Sequence, residues 1–385
     1  MNKRKICVVT SNRADYTKLV PVMKSLIKNP NIELSLVVTG SHLLKNYGET
    51  KKYIENDGFK IDFVARTILE GEDLISMTKS IGIAALEMPT ILDQIKPDLV
   101  LIVGDRFEIL PVAIASAFMN IPLAHIQGGE VSGTIDETTR HTITKLAHIH
   151  FPATEKSKER IIKLGEKPEH VFNLGCPGVD IIKEIDYKPR EKLAETKEDY
   201  TIDINPNLPY IILIQHPVTT EFEQASEQIL TTLKAVSRTK MQTVMFYPNI
   251  DAGNADMIKT IRNAISTLDL SKVYMYKHMS YFDFLNLLKN AECIVGNSSA
   301  GIRESCLFGT PTVNIGTRQN GRERTENIVD VDCNEEQIYQ AILDAVKHGK
   351  YPESDLYGDG ESGKKIAEVL ANIDISNIVQ KKLTY

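Results

Sequence analysis

Leu99-Val100-Leu101-Ile102-Val103-Gly104-Asp105-Arg106 is the stretch on which the fold turns. Five aliphatic residues in a row leave no polar face. A β-strand covered on both sides needs that pattern, and such strands lie in parallel sheets flanked by helices. Gly104 permits a tight turn at the strand's end, and Asp105 and Arg106 project beyond it. The same grammar repeats outward from here. Runs rich in Val, Ile and Leu occupy residues 6–9, 34–38, 123–126, 210–214, 244–247, 273–276, 293–295 and 312–315. Between them apolar residues recur at helical spacing, as at Leu19, Met23, Leu26 and Ile27, and again at Ile338, Ile342 and Val346. This alternation predicts an α/β protein built on parallel sheets.

The chain has 385 residues, room for two domains of about 100–200 residues each. Residues 187–209 are charged, then rich in Asn and Pro, and break the periodicity. The expected division is therefore 1–185, 186–360 and a last segment 361–385. That segment holds a helix near residues 362–373, which can pack back on the N-terminal domain. Two doubly wound domains with a cleft between them follow. Ligands of such folds bind beyond the carboxyl ends of the strands.

Hydrophobic residues make up 42% and charged residues 25% of the chain, an ordinary globular balance. The net charge of −6 argues against nucleic acid as partner, because phosphate backbones select basic surfaces. Five cysteines, an odd number without Cys-x-x-Cys, argue against a disulfide framework or a zinc site and for a reducing compartment. The apolar run after Lys3-Arg4-Lys5 is too short for a signal peptide. No stretch approaches the roughly 20 apolar residues of a membrane span. A soluble, cytoplasmic protein is expected.

The polar residues gather just after the apolar runs. Thr10-Ser11-Asn12-Arg13 is a strand-to-helix turn, where backbone N–H groups and a guanidinium suit a phosphate, or a plain capped turn. Asp105 beside Arg106 suits proton transfer next to an anionic leaving group, or an ion pair at a helix start. Residues 125–137 run His-Ile-Gln-Gly-Gly-Glu-Val-Ser-Gly-Thr-Ile-Asp-Glu, with Arg140 and His141 one turn later. The glycines let backbone approach a ligand, and Asp136 and Glu137 open a helix, where they can also complement its dipole. Further on, His216 precedes Pro217, and Asn249 and Asp251 form a polar loop. Gly296-Asn297-Ser298-Ser299 can hold a diphosphate, with Glu304 one turn on to accept from ribose hydroxyls. Arg318, Arg322 and Arg324 follow the run at 312–315. No Walker lysine, no Gly-x-Gly-x-x-Gly after the first strand and no metal-ligand spacing occur.

In order, Asn12-Arg13-Ala14-Asp15-Tyr16, Gly40-Ser41-His42, Gly104-Asp105-Arg106-Phe107, residues 128–136, Arg140-His141, residues 215–219, 248–253 and 296–299, Gly309-Thr310-Pro311, residues 316–321 and Tyr357-Gly358-Asp359-Gly360 span nearly the whole chain. As a set they resemble the hydrolysing UDP-N-acetylglucosamine 2-epimerases of sialic-acid biosynthesis, including the epimerase half of the bifunctional animal enzyme. The resemblance implies two Rossmann-like domains of the GT-B type with the active site in their cleft. It implies proton abstraction at sugar C-2 with loss of UDP, a glycal intermediate, and re-addition of water with C-2 inverted. The product is then N-acetylmannosamine, and no metal or other cofactor takes part. A homodimer or larger homo-oligomer is expected.

Carried over by position, the resemblance implies Asp105 and Asp136 as acid–base groups and His216 as a donor near the phosphates. It implies Arg13, Arg106, Asn249, Ser298, Ser299, Glu304 and Arg318 as contacts to UDP or sugar, with His42, Gln127, Arg140 and His141 as further binding candidates. Where many relatives carry Glu, this chain has Gln127. An amide cannot exchange a proton at working pH, so Glu130 becomes a candidate for the missing acid–base role. UDP-N,N′-diacetylbacillosamine is an alternative substrate. A GT-B glycosyltransferase and a non-catalytic UDP-sugar-binding protein are alternatives of other classes.

Overall fold

The computed structural model describes residues 3–71, 73–194, 200–277 and 279–384. They form two compact units. Unit 1 comprises the chain up to Val131, Ile135–Glu184 and the chain from Tyr357 onward, and unit 2 comprises Ser132–Thr134 and Ile185–Leu356. The chain thus returns to unit 1 at Tyr357, ahead of the boundary expected at 361.

Unit 1 holds β1 (Arg4–Thr10), β2 (Ile32–Val38), β3 (Phe63–Val64), β4 (Leu99–Val103), β5 (Leu123–Ile126) and β6 (Ile149–Phe151). They form one six-stranded sheet in the order β3-β2-β1-β4-β5-β6, with parallel pairing throughout. Alternate residues feed opposite faces, as the pleat demands. Ile6, Val8, Leu36, Leu99 and Leu101 pack with Leu19, Met23 and Leu26 of the helix Arg13–Lys28. Cys7, Val9, Val37, Val100 and Ile102 pack on the other side with Met88 and Leu92 of the helix Leu74–Ile95. The helix Ser362–Asn372 belongs to the first face, with Ile366 and Leu370 in that core. A Cβ on Gly363 would lie 2.6 Å from Cβ of Pro21, so only glycine lets the two helices approach this closely.

Unit 2 repeats the plan with β7 (Tyr210–Ile214), β8 (Gln242–Phe246), β9 (Val273–Tyr276), β10 (Cys293–Gly296), β11 (Thr312–Ile315) and β12 (Ile328–Val331). Its sheet runs β12-β11-β10-β7-β8-β9. Numbered within each unit, the first sheet reads 3-2-1-4-5-6 and the second reads the same two-winged plan with β7 and β10 at its centre. The order therefore reverses between β1 and β4 and between β7 and β10, and ligands of such sheets bind beyond those strand ends. Among the described residues, no helix is long and apolar enough to cross a membrane.

Three strands lay outside the apolar runs. β3 has two residues, and β6 has three with the buried His150 in the middle. β12 sits at the sheet edge, half-buried with Asp330 exposed. Such strands are too short or too polar to stand out by composition.

Candidate active site

In unit 1, β1 ends at a tightly bonded turn. Asn12 caps the helix Arg13–Lys28, its side chain accepting from the Asp15 N–H at 3.0 Å. Asp15 answers by accepting from Asn12 Nδ2 at 2.7 Å and Ser11 Oγ at 2.8 Å, a reciprocal box over the first turn. Asp15 is buried, and burial drives its pKa from 3.8 to about 7, against the pull of Lys18 and the Ser11 hydrogen bond. Arg13 opens the helix with its guanidinium 5.7 Å from the centre of the Tyr53 ring.

β4 ends at Gly104, whose φ of +83° is a left-handed conformation that favours glycine. Asp105 follows and pairs with the Arg140 guanidinium. Arg106 turns to Glu108, 3.3 Å away. The Gly104 carbonyl accepts from His125 Nε2 at 2.7 Å, which assigns the ring proton to that nitrogen. Burial lowers the His125 pKa to about 3, so the ring is neutral.

β5 runs into the glycine loop. Gln127 is buried with φ +65°, and its Nε2 donates to Cys176 Sγ at 2.8 Å. A Cβ on Gly129 would sit 2.3 Å from the Ser157 carbonyl, so the loop can pass only there as glycine. Glu130 is buried, and its carbonyl accepts from Arg140 Nη1 at 2.8 Å. Asp136 and Glu137 lie in the first turn of the helix Ile135–Leu146, and Arg140 lies one turn on. His141 Nε2 is 3.6 Å from Glu137 Oε1, and burial with the Arg140 charge lowers its pKa. Arg140 thus ties Asp105 and the Glu130 backbone to the helix that presents Asp136.

His42 is fully buried, with Nε2 3.0 Å from Thr10 Oγ1 and Nδ1 2.7 Å from Thr50 Oγ1. Both ring nitrogens are occupied, and burial holds its pKa near 3. His42, Gln127 and Arg140 were expected to contact a ligand. Their side chains hold neighbouring protein groups in the structure, as buried polar atoms do.

In unit 2, Asn297 joins three strand ends. Its Oδ1 accepts from the His216 N–H at 2.8 Å and its Nδ2 donates to the His216 carbonyl at 2.9 Å. Its own carbonyl accepts from Arg318 Nη1 at 3.2 Å and Gln319 Nε2 at 2.8 Å. His216 Nδ1 accepts from the Asn249 N–H at 3.1 Å, which leaves Nε2 as the ring's donor. Asn249 Nδ2 donates to Asp251 at 2.6 Å. A Cβ on Gly296 would lie 2.1 Å from the Ile214 carbonyl, so β10 can close on β7 only with glycine there.

Ser298 caps the short 3₁₀ turn Ser299–Gly301, which precedes the four-residue helix Arg303–Cys306 rather than a long helix. Glu304 Oε1 accepts from Tyr281 Oη at 3.4 Å, and its buried Oε2 has no hydrogen-bond partner among the described residues. Gly133 of unit 2 donates its N–H to the Arg318 carbonyl at 3.0 Å, and a Cβ there would collide with Thr317 O at 1.8 Å. Arg324 pairs with Asp330 and donates to Gln319 O, a structural role.

Residues 24–371 match the family model described as UDP-N-acetylglucosamine 2-epimerase. The chain belongs to that family. Family relatives include the UDP-N,N′-diacetylbacillosamine 2-epimerase (hydrolyzing) of Legionella pneumophila, 38% identical over 98% of both chains. The UDP-N-acetylglucosamine 2-epimerase of Neisseria meningitidis is 34% identical over 99% of this chain and 98% of its own. Among solved structures, a Neisseria meningitidis UDP-GlcNAc 2-epimerase bound to UDP-GlcNAc superposes with TM-score 0.79 at 19% identity, covering 95% of this chain and 99% of that one. A Methanocaldococcus jannaschii UDP-GlcNAc 2-epimerase gives 0.78 at 20% identity, with the same coverage. At that identity the likeness establishes the epimerase fold, two units each with a parallel sheet. Within this family member, the residues not singled out by the sequence reading are Asn297, Asp15 and Cys176. Asn297 was quoted only as part of a Gly-Asn-Ser-Ser turn. The Asn-x-x-Asp spacing at 12–15 resembles a capping box and is a signal for Asp15. Nothing local marks Cys176, whose partner Gln127 is remote in sequence.

Proposed function

We propose that this enzyme hydrolyses UDP-N-acetylglucosamine with inversion at C-2, releasing UDP and N-acetylmannosamine. The observation that carries the reading is the Arg140 bridge. It fixes Asp105 beside the helix that presents Asp136 one turn earlier, two carboxylates on a rigid frame. One carboxylate takes the C-2 proton as the C-1–oxygen bond to UDP breaks, and the C-1–C-2 double bond of a glycal forms. Water then adds its hydroxyl to C-1 while a proton enters C-2 from the opposite face. A positioned acid–base group supplies about 10²–10⁴-fold.

Arg13, Arg318 and the Ser298-Ser299 turn are assigned to the charge that grows on UDP. His216 is assigned to donate from Nε2, and Glu304 Oε2 to accept from ribose. Asn249, Arg106 and His141 are assigned as further contacts to UDP or sugar. Gln127 donates to a thiol and cannot exchange a proton, so the third acid–base role is assigned to Glu130. His42 and Arg140 are assigned to support these groups.

The relatives named for diacetylbacillosamine, at 38% and 35% identity, favour a second reading in which the UDP-sugar is that one. The same proposal includes a cytoplasmic enzyme acting as a homodimer or larger assembly, which sedimentation velocity checks. The direct test is UDP release from each nucleotide sugar without an acceptor. Release that requires a sugar acceptor would instead identify a glycosyltransferase, and binding without release a regulator.

A further inference from the structure

The helix Ile135–Leu146 carries functional candidates at one end and an unusual anchor at the other. Its last carbonyls have no intrahelical partner, as at any helix end. Here the ammonium of Lys381 supplies the donors, at 2.8 Å from Lys145 O and 3.4 Å from Thr144 O, and bonded to Ala147 O. A cation at a helix C-terminus also meets the negative end of the dipole. The same ammonium lies 2.6 Å from Glu166 Oε2, while Lys145 Nζ donates to Glu166 Oε1 at 2.5 Å. Burial tends to raise Glu166, but hydrogen bonds from His150, Lys145 and Lys381 prevail and bring it to about 2, so it is ionised.

The segment bearing Lys381 is itself fixed. Ile378 is buried in the unit 1 core, and His148 Nε2 lies 3.2 Å from Val379 O. His148 Nδ1 accepts from the Leu123 N–H at 3.1 Å, which makes Nε2 the donor to that carbonyl. Lys381, more than 230 residues along the chain from the carbonyls it holds, therefore pins one end of a helix whose other end bears Asp136.

We propose that Lys381 is a positioning residue for the acid–base pair Asp105 and Asp136, acting through the helix Ile135–Leu146. From Asp136 to Lys145 the helix rises only about 14 Å and moves as a rod. Slippage at its C-terminal end reaches Asp136 directly, and reaches Asp105 through Arg140 in the middle of the rod. A misplacement of about 1 Å in such a frame can cost about a hundredfold in rate. The inference rests on the epimerase reading, because it is the proton transfer that suffers.

Lys381→Met keeps an unbranched apolar stem and removes every donor, whereas Lys381→Arg keeps donors and charge. The expected result for Lys381→Met is a tenfold or larger fall in kcat with KM within twofold, and faster hydrogen exchange at Thr139 and Arg140, whose amides bond within the helix. Lys381→Arg restores most of kcat. Should the Met variant fail to fold, Lys381→Gln, which keeps neutral donors but no charge, takes its place, with kcat several-fold below wild type and KM unchanged. A kcat within twofold of wild type in Lys381→Met, or in Lys381→Gln where it stands in, overturns the inference, as do equal losses in the Arg and Met variants. If wild type itself releases no UDP, the epimerase reading fails separately. Hydrogen exchange then decides alone, and unchanged exchange at Thr139 and Arg140 in Lys381→Met refutes the mechanical link.

Discussion

Replacing Asp15 by asparagine should stabilise the protein above pH 7 and change it little near pH 4. Asp15 is buried in a reciprocal box with Ser11 and Asn12, and burial, with Glu108 and Asp105 adding to it, carries its pKa from 3.8 to about 7. The folded pKa is the higher one, so the native state holds the proton more tightly than the unfolded state. Stability from this group is complete below pH 3.8 and is lost as pH rises through 7. Three units at 1.36 kcal/mol each give a cost of about 4 kcal/mol above pH 7. Asparagine never ionises and keeps an oxygen to accept from Ser11 and Asn12. Allowing about 1 kcal/mol for a less favourable hydrogen bond, a net gain of about 3 kcal/mol is expected. Urea unfolding followed by far-UV circular dichroism at pH 4, 6 and 8 measures it as the shift of the unit 1 transition. An Asp15→Asn variant equal to or weaker than wild type at pH 8, or a difference that does not change with pH, would mean that burial does not raise the Asp15 pKa in the folded protein.

Asp105→Asn should lower kcat by about 10²–10⁴-fold while UDP affinity, measured by calorimetry, stays within a few-fold. Glu130→Gln should cost at least about tenfold in kcat, whereas Gln127→Ala should cost far less; the reverse order in steady-state assays would move the third acid–base role off Glu130. Asn297→Ala removes bonds to His216 from both sides and should cost about 2–3 kcal/mol in urea unfolding, with weaker UDP binding. Gly133→Ala places a Cβ on the Thr317 carbonyl and should reduce UDP release more than it shifts the unfolding midpoint of unit 1.

The architecture was legible because strands buried on both faces carry uninterrupted aliphatic runs. Residues 99–103 and 210–214 coincide with β4 and β7 to the residue. β3, β6 and β12 were not legible, since a two-residue strand, a strand centred on His150 and an edge strand with an exposed Asp330 have no compositional mark. The loops that gather functional candidates were legible from position alone, just past strand ends. What each side chain does there was not. The polar atoms of His42, Gln127 and Arg140 hold Thr10, Thr50, Cys176, Asp105 and Glu130, partnerships that no local motif announces. Those partners lie up to 49 residues away along the chain, and only the fold brings them together. Lys381 is the extreme case, a lysine among lysines until its ammonium is seen on the carbonyls of residues 144–147.

A proton NMR time course in D₂O, with UDP-N-acetylglucosamine and UDP-N,N′-diacetylbacillosamine in separate samples, follows the proposed hydrolysis and C-2 inversion in one experiment. The expected products are free UDP and a manno-configured sugar carrying deuterium at C-2, with the faster sample naming the preferred sugar. Release of UDP with the original C-2 proton retained, or tight binding of both nucleotide sugars with no turnover, would contradict the proposed reaction.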